Sequence, residues 1–458
     1  MKFSRSETRS KTHVLPILRF EDQKLTSFSG LVIFQKLFEH LGLKQRLRQC
    51  FKHMTVSPIF GHANIVLLLV VHMLLGYRDL RHVRYYKDDP LVGHLLGLKR
   101  LPDVATISRA LSDTDEQSVI ALQQHLNTLV LERLVSLELK RITLDFDGSV
   151  IGTSRYAEGT AVGFNKKKKG QRSYYPLFCT VAQTGQVLDV LHRSGNVHDS
   201  NGAQTFILNC IEQVRIALPG VIVEVRMDSA FFSDTIVNEL DRHDVEYTIS
   251  VPFERFTELK GKINKRCRWY QLNDQCDYFE SDWKPQSWQH RHRFVFVRQY
   301  SKVQHKKPVQ LDLFVPYEYG YEFKVILTNK HLTAGKIVAF HNGRGSQESI
   351  FAELKSQNQL AYVPTRTWNG NKTYMLATLL AHNLTRELQI ITCKPTRSTQ
   401  EKRPALWAFE QLDTLRKRII QRAGRLIHPQ GKLTLSMSVN PALENELLQL
   451  LEAIDQAA

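Results

Sequence analysis

Arg141-Ile142-Thr143-Leu144-Asp145-Phe146-Asp147-Gly148-Ser149-Val150 decides how this chain is read. Upstream of it the apolar residues recur at helical spacing. Here the period drops to two, with Ile142, Leu144 and Phe146 on one side and Asp145 and Asp147 on the other. A strand of this kind buries one face and carries two carboxylates on the other. Asp147 sits where the strand gives way to the Gly148-Ser149 turn and so escapes full burial, which costs a carboxylate dearly. It is the expected functional group, with Asp145 on the same face as the alternative.

Downstream, 174–182 and 187–193 read as two more strands joined at Thr184-Gly185, which completes a meander. Residues 203–218 read as a helix that Pro219-Gly220 stops. Residues 221–227 form a buried strand delivering Asp228, 233–243 a helix and 245–251 another strand. Three strands, helix, strand, helix, strand specify an α/β fold, a mixed sheet with helices packed on it. Its first and fourth strands bring Asp147 and Asp228 together near the centre. Asp228 has a second reading, as the N-cap of the helix that follows Phe231.

A third carboxylate comes from His341-Asn342-Gly343-Arg344-Gly345-Ser346-Gln347-Glu348-Ser349-Ile350-Phe351-Ala352-Glu353-Leu354-Lys355. This is read as a glycine-rich turn running into a short helix on which Arg344, Glu348 and Lys355 share a face. Glu353 competes with Glu348 but has a different helical phase. Three carboxylates can hold two hard divalent cations about 3.5 to 4 Å apart around a phosphate, and such chemistry needs no protein nucleophile. Arg344 and Lys355 suit phosphates on either side of the cut, or a solvated face.

The charge agrees. The 458 residues carry a net +17 with a pI near 9.5, which points to a polyanionic partner. The longest apolar run, 65–75, is too short to span a bilayer. Met1 is followed by a polar, basic segment, so no signal peptide is expected, and six scattered cysteines suit reduced thiols in a cytoplasm. Cys267, Cys276, His290 and His292 have zinc-capable side chains without a standard spacing.

Other candidates lie around this centre. Residues 102–111 look like the second helix of a helix-turn-helix with Arg109 outward, or a capped helix of a bundle. The lysines at 166–169, Lys166, Lys167 and Lys168 among them, read as a solvated loop or a track for a DNA backbone. Trp283 and Trp288 could stack on an unpaired base or fill a core. Residues 404–415 read as a helix, followed by a basic cluster of Arg416, Lys417, Arg418, Arg422 and Arg425. The expected division is 1–139, helical and DNA-binding; 140–251, first part of the catalytic core; 252–324, a β-rich insertion with a strand at 310–315; 325–395, second part of the core; and 396–458, a basic helical region.

The pattern of Arg344, Glu348 and Lys355 with Asp147 and Asp228 resembles the DDE transposases of bacterial insertion sequences, in the superfamily numbered four. Its motif is Tyr-x2-Arg-x3-Glu-x6-Lys, and His341 stands where tyrosine is usual. Leu144-Asp145-Phe146-Asp147-Gly148-Ser149, Gly163-Phe164-Asn165-Lys166-Lys167, Tyr174-Tyr175-Pro176-Leu177, Gly195-Asn196-Val197-His198, Val225-Arg226-Met227-Asp228-Ser229-Ala230-Phe231 and Asn342-Gly343-Arg344-Gly345 resemble the insertion-sequence family numbered thirteen-eighty. The likeness runs in order over about residues 30–430 and includes the basic region near Arg422.

The resemblance implies an RNase H-like core interrupted by a β-strand insertion, with a helical DNA-binding N-terminus. It implies Asp147, Asp228 and Glu348 as ligands of two Mg2+ or Mn2+ ions, and a homodimer on the terminal inverted repeats of double-stranded DNA. The implied reactions are hydrolysis at the element's ends and attack of the freed 3′-hydroxyl on target DNA, in a bacterial, nucleoid-associated setting. Two rivals remain at this point: a metal-dependent nuclease on the same fold without strand transfer, and a DNA-binding derivative that has lost its chemistry.

Overall fold

The computed structural model describes residues 15, 17–54, 60–163, 168–197, 202–300, 321–398 and 403–457. The first third is helical, as its periodicity predicts: Leu31–His40 (α1), Leu43–Cys50 (α2), His62–Leu74 (α3), Pro90–Leu96 (α4), Val104–Ser112 (α5) and Glu116–Ser136 (α6). Asp89, Asp103 and Asp115 each cap a following helix by accepting backbone N–H groups. The apolar run at 65–75 is the buried body and end of α3, and no helix among the described residues is long and apolar enough to cross a membrane.

The sheet begins with Arg141–Gly148 (β1), followed by Leu177–Val181 (β2) and Val187–Leu191 (β3) in antiparallel register. The turn between β2 and β3 holds Gly185 at φ 62, where a side chain would be strained. The strand expected over 174–182 is broken at Pro176. Its first residue, Tyr174, belongs instead to Arg172–Tyr174, in a separate three-stranded sheet.

Ile222–Met227 (β4) pairs parallel to β1 on the other side, with Asp145 opposite Arg226 and Phe146 opposite Met227. Glu246–Ser250 (β5) pairs parallel to β4. The order β3-β2-β1-β4-β5, with only β2 antiparallel to its neighbours in the centre, is that of an RNase H-like core. Ala203–Ala217 (α7) and Asp234–Arg242 (α8) make the crossovers, and Phe206 of α7 meets Phe146 edge-on at 6.0 Å.

Four strands then prolong the same sheet: Tyr270–Asn273 (β6), Cys276–Trp283 (β7), His292–Tyr300 (β8) and Tyr321–Thr328 (β9). The last pairs antiparallel with β5, so the sheet has nine strands in the order β6-β7-β8-β9-β5-β4-β1-β2-β3. The β-rich stretch is therefore continuous with the core sheet. Its apolar residues explain this, since Phe294, Val295, Phe296, Val325, Ile326 and Leu327 are buried on both faces. The strand expected at 310–315 lies outside the described residues.

The two halves are joined by Trp368–Thr392 (α9), a helix buried almost all round that packs between α3, α5, α6 and β3. The Asn383 side chain accepts from Val187 N and donates to Val187 O, both at 2.8 Å, and so gives the edge strand β3 a partner. His382 Nε2 lies 3.0 Å from Gly185 O.

The C-terminal region departs from the all-helical expectation. Only Leu412–Leu415 of the helix expected at 404–415 is α-helical, and Gly424–Ile427 with Thr434–Met437 forms a hairpin that pairs with Leu25–Thr26. Much of the basic cluster has internal work. Arg416 donates to Leu74 O at 2.9 Å and Met73 O at 3.1 Å, which satisfies the end of α3. A Cβ at Gly76, whose φ is 91, would lie 2.7 Å from that guanidinium. Lys417 pairs with Asp413, and Arg418 with Glu410 and Glu446.

Burial keeps several histidines neutral. Desolvation pushes His72 and His192 down to about 3 and His125 and His382 down to about 4. An unfolded histidine takes up a proton near pH 6.5, whereas these do so only below about 4, so the stabilisation is complete above 6.5 and is lost as pH falls toward their native values. At pH 5.5 each of the four should cost about 1.4 kcal/mol relative to pH 7.5. Thermal melts should show a marked fall in Tm across that interval. A Tm independent of pH there would contradict it.

Candidate active site

The centre of the site follows from the parallel pairing of β1 and β4. Because Phe146 stands opposite Met227, Asp147 and Asp228 come next on adjacent strands at their carboxyl ends. The pattern is doubled one step inward. Asp145 and Arg226, also opposite each other, are buried and joined by a bidentate ion pair at 2.6 and 2.7 Å. Arg226 also donates to Phe340 O at 3.0 Å and lies over the Phe340 ring. Asp145, the alternative ligand, is thus held by a structural partner. The paired spacing Asp145-x-Asp147 and Arg226-x-Asp228 was the signal for it, since an arginine inside a buried strand requires a buried anion.

Asp147 is one-fifth exposed. Its Oδ1 accepts from Gly148 N at 2.7 Å, and its Oδ2 lies 3.2 Å from Arg344 Nη1. Asp228 Oδ1 accepts from Ala230 N at 2.9 Å and so caps the 3-10 turn Ser229–Phe231. The longer helix beyond is capped by Ser233. Capping and a site role are compatible, because this cap occupies one carboxylate oxygen.

Ala334–Asn342 (α10) and Gly345–Ser356 (α11) cross the same end of the sheet. The glycine-rich turn expected here is nearly continuous helix, with Gly343 and Arg344 at φ −57 and −56. His341 closes α10 and is buried. Its Nε2 lies 2.8 Å from Ser250 Oγ and its Nδ1 3.0 Å from Thr248 Oγ1 on β5. Desolvation, with Lys324, Arg344 and Arg226 nearby, holds the imidazole well below its ordinary value, so it is neutral. At the position where the resembling motif has tyrosine, the chain therefore has a neutral hydrogen-bonding group that pins α10 to β5.

Gln347 pins α11 in the same way: its Nε2 donates to Asp145 O at 2.9 Å, and the side chain is fully buried. Glu348, next to it, is exposed. Glu353 is buried, paired with Arg386, and accepts from Leu412 N at 3.0 Å. Lys355 is half-buried in the last turn. Among the described residues, no group of three or more His, Cys, Asp and Glu is gathered closely enough to hold a metal ion. As donors, Asp147 and Asp228 suit a hard cation, because both are carboxylates at neighbouring strand ends. The third carboxylate is not gathered with them here, and Arg344 occupies one oxygen of Asp147.

The remaining candidates divide. Arg109 is exposed on α5, its guanidinium within 3.3 Å of Ala105 O and Thr106 Oγ1, while Ile107 and Leu111 bury the opposite side. Lys168 is exposed; Lys166 and Lys167 lie outside the described residues. Arg422 is half-buried with Nε on Arg418 O at 2.8 Å. Trp288 is not available to a base, being buried and stacked on Phe232 at 4.7 Å, and Trp283 is buried with Nε1 on Glu258 at 2.6 Å. Zinc at Cys276 and His292 is ruled out by register. Cys276 pairs with Gln299 and Trp283 with His292, at opposite ends of β7, about 23 Å apart at strand rise.

Sequence reasoning missed Arg226, Gln347 and Lys324. Lys324 stands on β9 at the same end of the sheet, and its Nζ donates to Asn342 Oδ1 at 3.0 Å.

With this geometry in view, comparison with known proteins is decisive at the level of family. The family model described as "Transposase DDE domain group 1" matches residues 11–458. The chain belongs to this DDE transposase family. No curated protein matches it. Among solved structures, this family member is similar to the piggyBac transposase synaptic complex with hairpin DNA, at 12% identity, TM-score 0.42, over 78% of this chain and 74% of that one. It is also similar to the Mos1 transposase paired-end complex with left transposon end, at 11% identity, TM-score 0.18, over 43% of this chain and 60% of that one.

In this DDE-family chain, Asp145→Ala would leave Arg226 buried without its anion, a loss of roughly 3 to 5 kcal/mol. Chemical denaturation should report that loss, whereas Asp147→Ala should change stability by less than about 1 kcal/mol. Equal effects would contradict the separation of roles.

Proposed function

We propose that the protein is the transposase of a bacterial insertion sequence, resembling the family numbered thirteen-eighty, and that it cleaves DNA at the element's ends and joins them to target DNA. Family membership carries the reading, together with Asp147 and Asp228 on adjacent strand ends under a helix that bears Glu348. Asp147, Asp228 and Glu348 are the proposed ligands of two Mg2+ or Mn2+ ions. When bound, such ions activate the attacking oxygen and stabilise the departing one.

The chain's own groups have the following roles. Asp145 and Arg226 fix the two strand ends. Gln347 and neutral His341 fix the helices above them. Arg344, paired with Asp147 here, and Lys355 further along the helix would hold phosphates of the DNA strand. Glu348, on the same helix as Arg344, would supply the third carboxylate to such ions. Arg109 on α5, Lys168 and Arg422 are proposed DNA contacts, and a homodimer on paired terminal inverted repeats is the proposed assembly. The net charge of +17 favours a nucleic acid over a small substrate.

The division proposed for the chain keeps 1–139 as the DNA-binding helical part, 140–251 and 325–395 as the catalytic core, 252–324 as its inserted strands and 396–458 as the basic C-terminal part. A nuclease without strand transfer would share every one of these residues.

Asp147→Ala, Asp228→Ala and Glu348→Ala should each abolish Mg2+- or Mn2+-dependent cleavage of DNA carrying the element's own ends, with end binding largely retained. Full cleavage by any one of them would remove that residue from the ligand set. Joining of the cleaved ends to a target plasmid separates transposase from nuclease. Arg109→Ala should weaken binding to the element's ends in a footprint, and an unchanged footprint would remove α5 as a reading helix.

A further inference from the structure

Lys324 has no role in anything described so far, yet its placement is specific. β9 runs antiparallel to β5, with Thr328 opposite Thr248 and Ile326 opposite Ser250. Thr248 and Ser250 are the residues that hold His341, so this face of the sheet is the one under α10. Ile326 lies on the same face and packs with Ile337 and Val338 of α10. Lys324, two residues on, shares that face and lies beyond the end of β5, on the edge of the sheet where β1 and β4 deliver Asp147 and Asp228.

Lys324 differs from the other two bases at this edge in having a neutral partner. Arg226 is matched by Asp145, and Arg344 by Asp147. The hydrogen-bond partner of Lys324 is the neutral amide of Asn342, and the charged neighbour that acts on it is Arg344, a second cation. Burial and that neighbour together push the ammonium down to about 8. His341, between them and the sheet, is neutral. Lys324 is tied to Asn342, two residues before Arg344, so a strand cation and a helix cation stand near each other, and a further anion seated between them would relieve their repulsion.

We propose that Lys324 and Arg344 form a two-cation cradle for one phosphate of a DNA strand lying across the edge that carries Asp147 and Asp228. The proposal rests on the reading of the protein as a DNA-cleaving transposase and adds to it a residue outside the helix with Arg344, Glu348 and Lys355. Asn342 aims the ammonium, and the rigid sheet sets its distance from Asp147. A phosphate seated there would lie next to the carboxylate pair, and Arg344 could pass from Asp147 to that phosphate without leaving the cradle.

The experiment uses the full chain and a short duplex of arbitrary sequence in a chelating buffer, with affinity measured across a series of KCl concentrations. Each phosphate contact contributes about 0.9 to the slope of log K against log salt. Lys324→Gln should lower the slope by about that amount. Lys324→Arg should restore it, and Asn342→Ala, which removes the anchor but no charge, should retain most of it. If Lys324→Gln does not fold, Lys324→Met, with a stem of similar length, takes its place. An unchanged slope in the neutral variant, or an equal loss in Asn342→Ala, would overturn the cradle. Failure of the wild-type chain to cleave DNA carrying the element's own ends with Mg2+ or Mn2+, while the slope on the arbitrary duplex still drops, would overturn the transposase reading and leave the phosphate site standing.

Discussion

The buried pair of Asp145 and Arg226 is the constraint on which the rest of the site depends. Neither charge could remain in a sheet interior alone, since the cost of an unpaired buried ion is several kcal/mol. Their bidentate bond at 2.6 and 2.7 Å therefore admits only one register between β1 and β4. A slip of one residue would turn every side chain of the strand to the other face. With the register set, Asp147 and Asp228 have no choice but to emerge side by side. Arg226 then reaches up to Phe340 O, so the same pair also fixes α10 above the strands.

Toward the sheet, buried neutral contacts hold α10 and α11 down: His341 on Thr248 and Ser250, and Gln347 on Asp145 O, while on its other side α11 is tied to α9 by the buried pair of Glu353 and Arg386. The charged contact of α11 toward the sheet is Arg344 on Asp147, where both side chains keep about one-fifth of their surface exposed. This division has a physical logic. On the proposed reading, the helix that bears Glu348 needs a firm base and a releasable tip. Neutral buried hydrogen bonds give the first, and a rim ion pair that a cation or phosphate can replace gives the second.

Much of the core could be read from the chain. The meander, the helix after it, the strand ending at Asp228 and the strand after that followed from periodicity and from Pro219-Gly220, because those segments alternate cleanly between apolar and polar. The continuity of the inserted strands could not be read, since the pairing of β9 with β5 joins residues far apart in sequence and their composition is the same in a separate sheet as in a shared one. The break at Pro176 was legible in principle, for proline cannot serve a central strand. Asp147 and Asp228 were singled out because they end strands, and the structure sets those ends side by side, whereas Lys324 was invisible: nothing in Tyr321–Thr328 says that its fourth residue will reach Asn342. Glu348 and Glu353 were separated by helical phase, and the structure gives Glu353 its own buried partner in Arg386.

Net charge was the most general clue and the least local one. A total of +17 implies an anionic partner but not where it lies. The run Arg416-Lys417-Arg418 read as part of a basic cluster, yet Arg416 ends α3, and Lys417 and Arg418 face Asp413, Glu410 and Glu446. Those charges are already neutralised or buried, so they contribute little to a field that DNA would feel. Lys324 and Arg344 are the reverse case: few in number, but held on a strand and a helix at the site, Lys324 with a neutral amide as its partner. For a polyanion the second arrangement matters more, because a field that the protein cannot relieve by itself is the one that a phosphate is drawn to relieve.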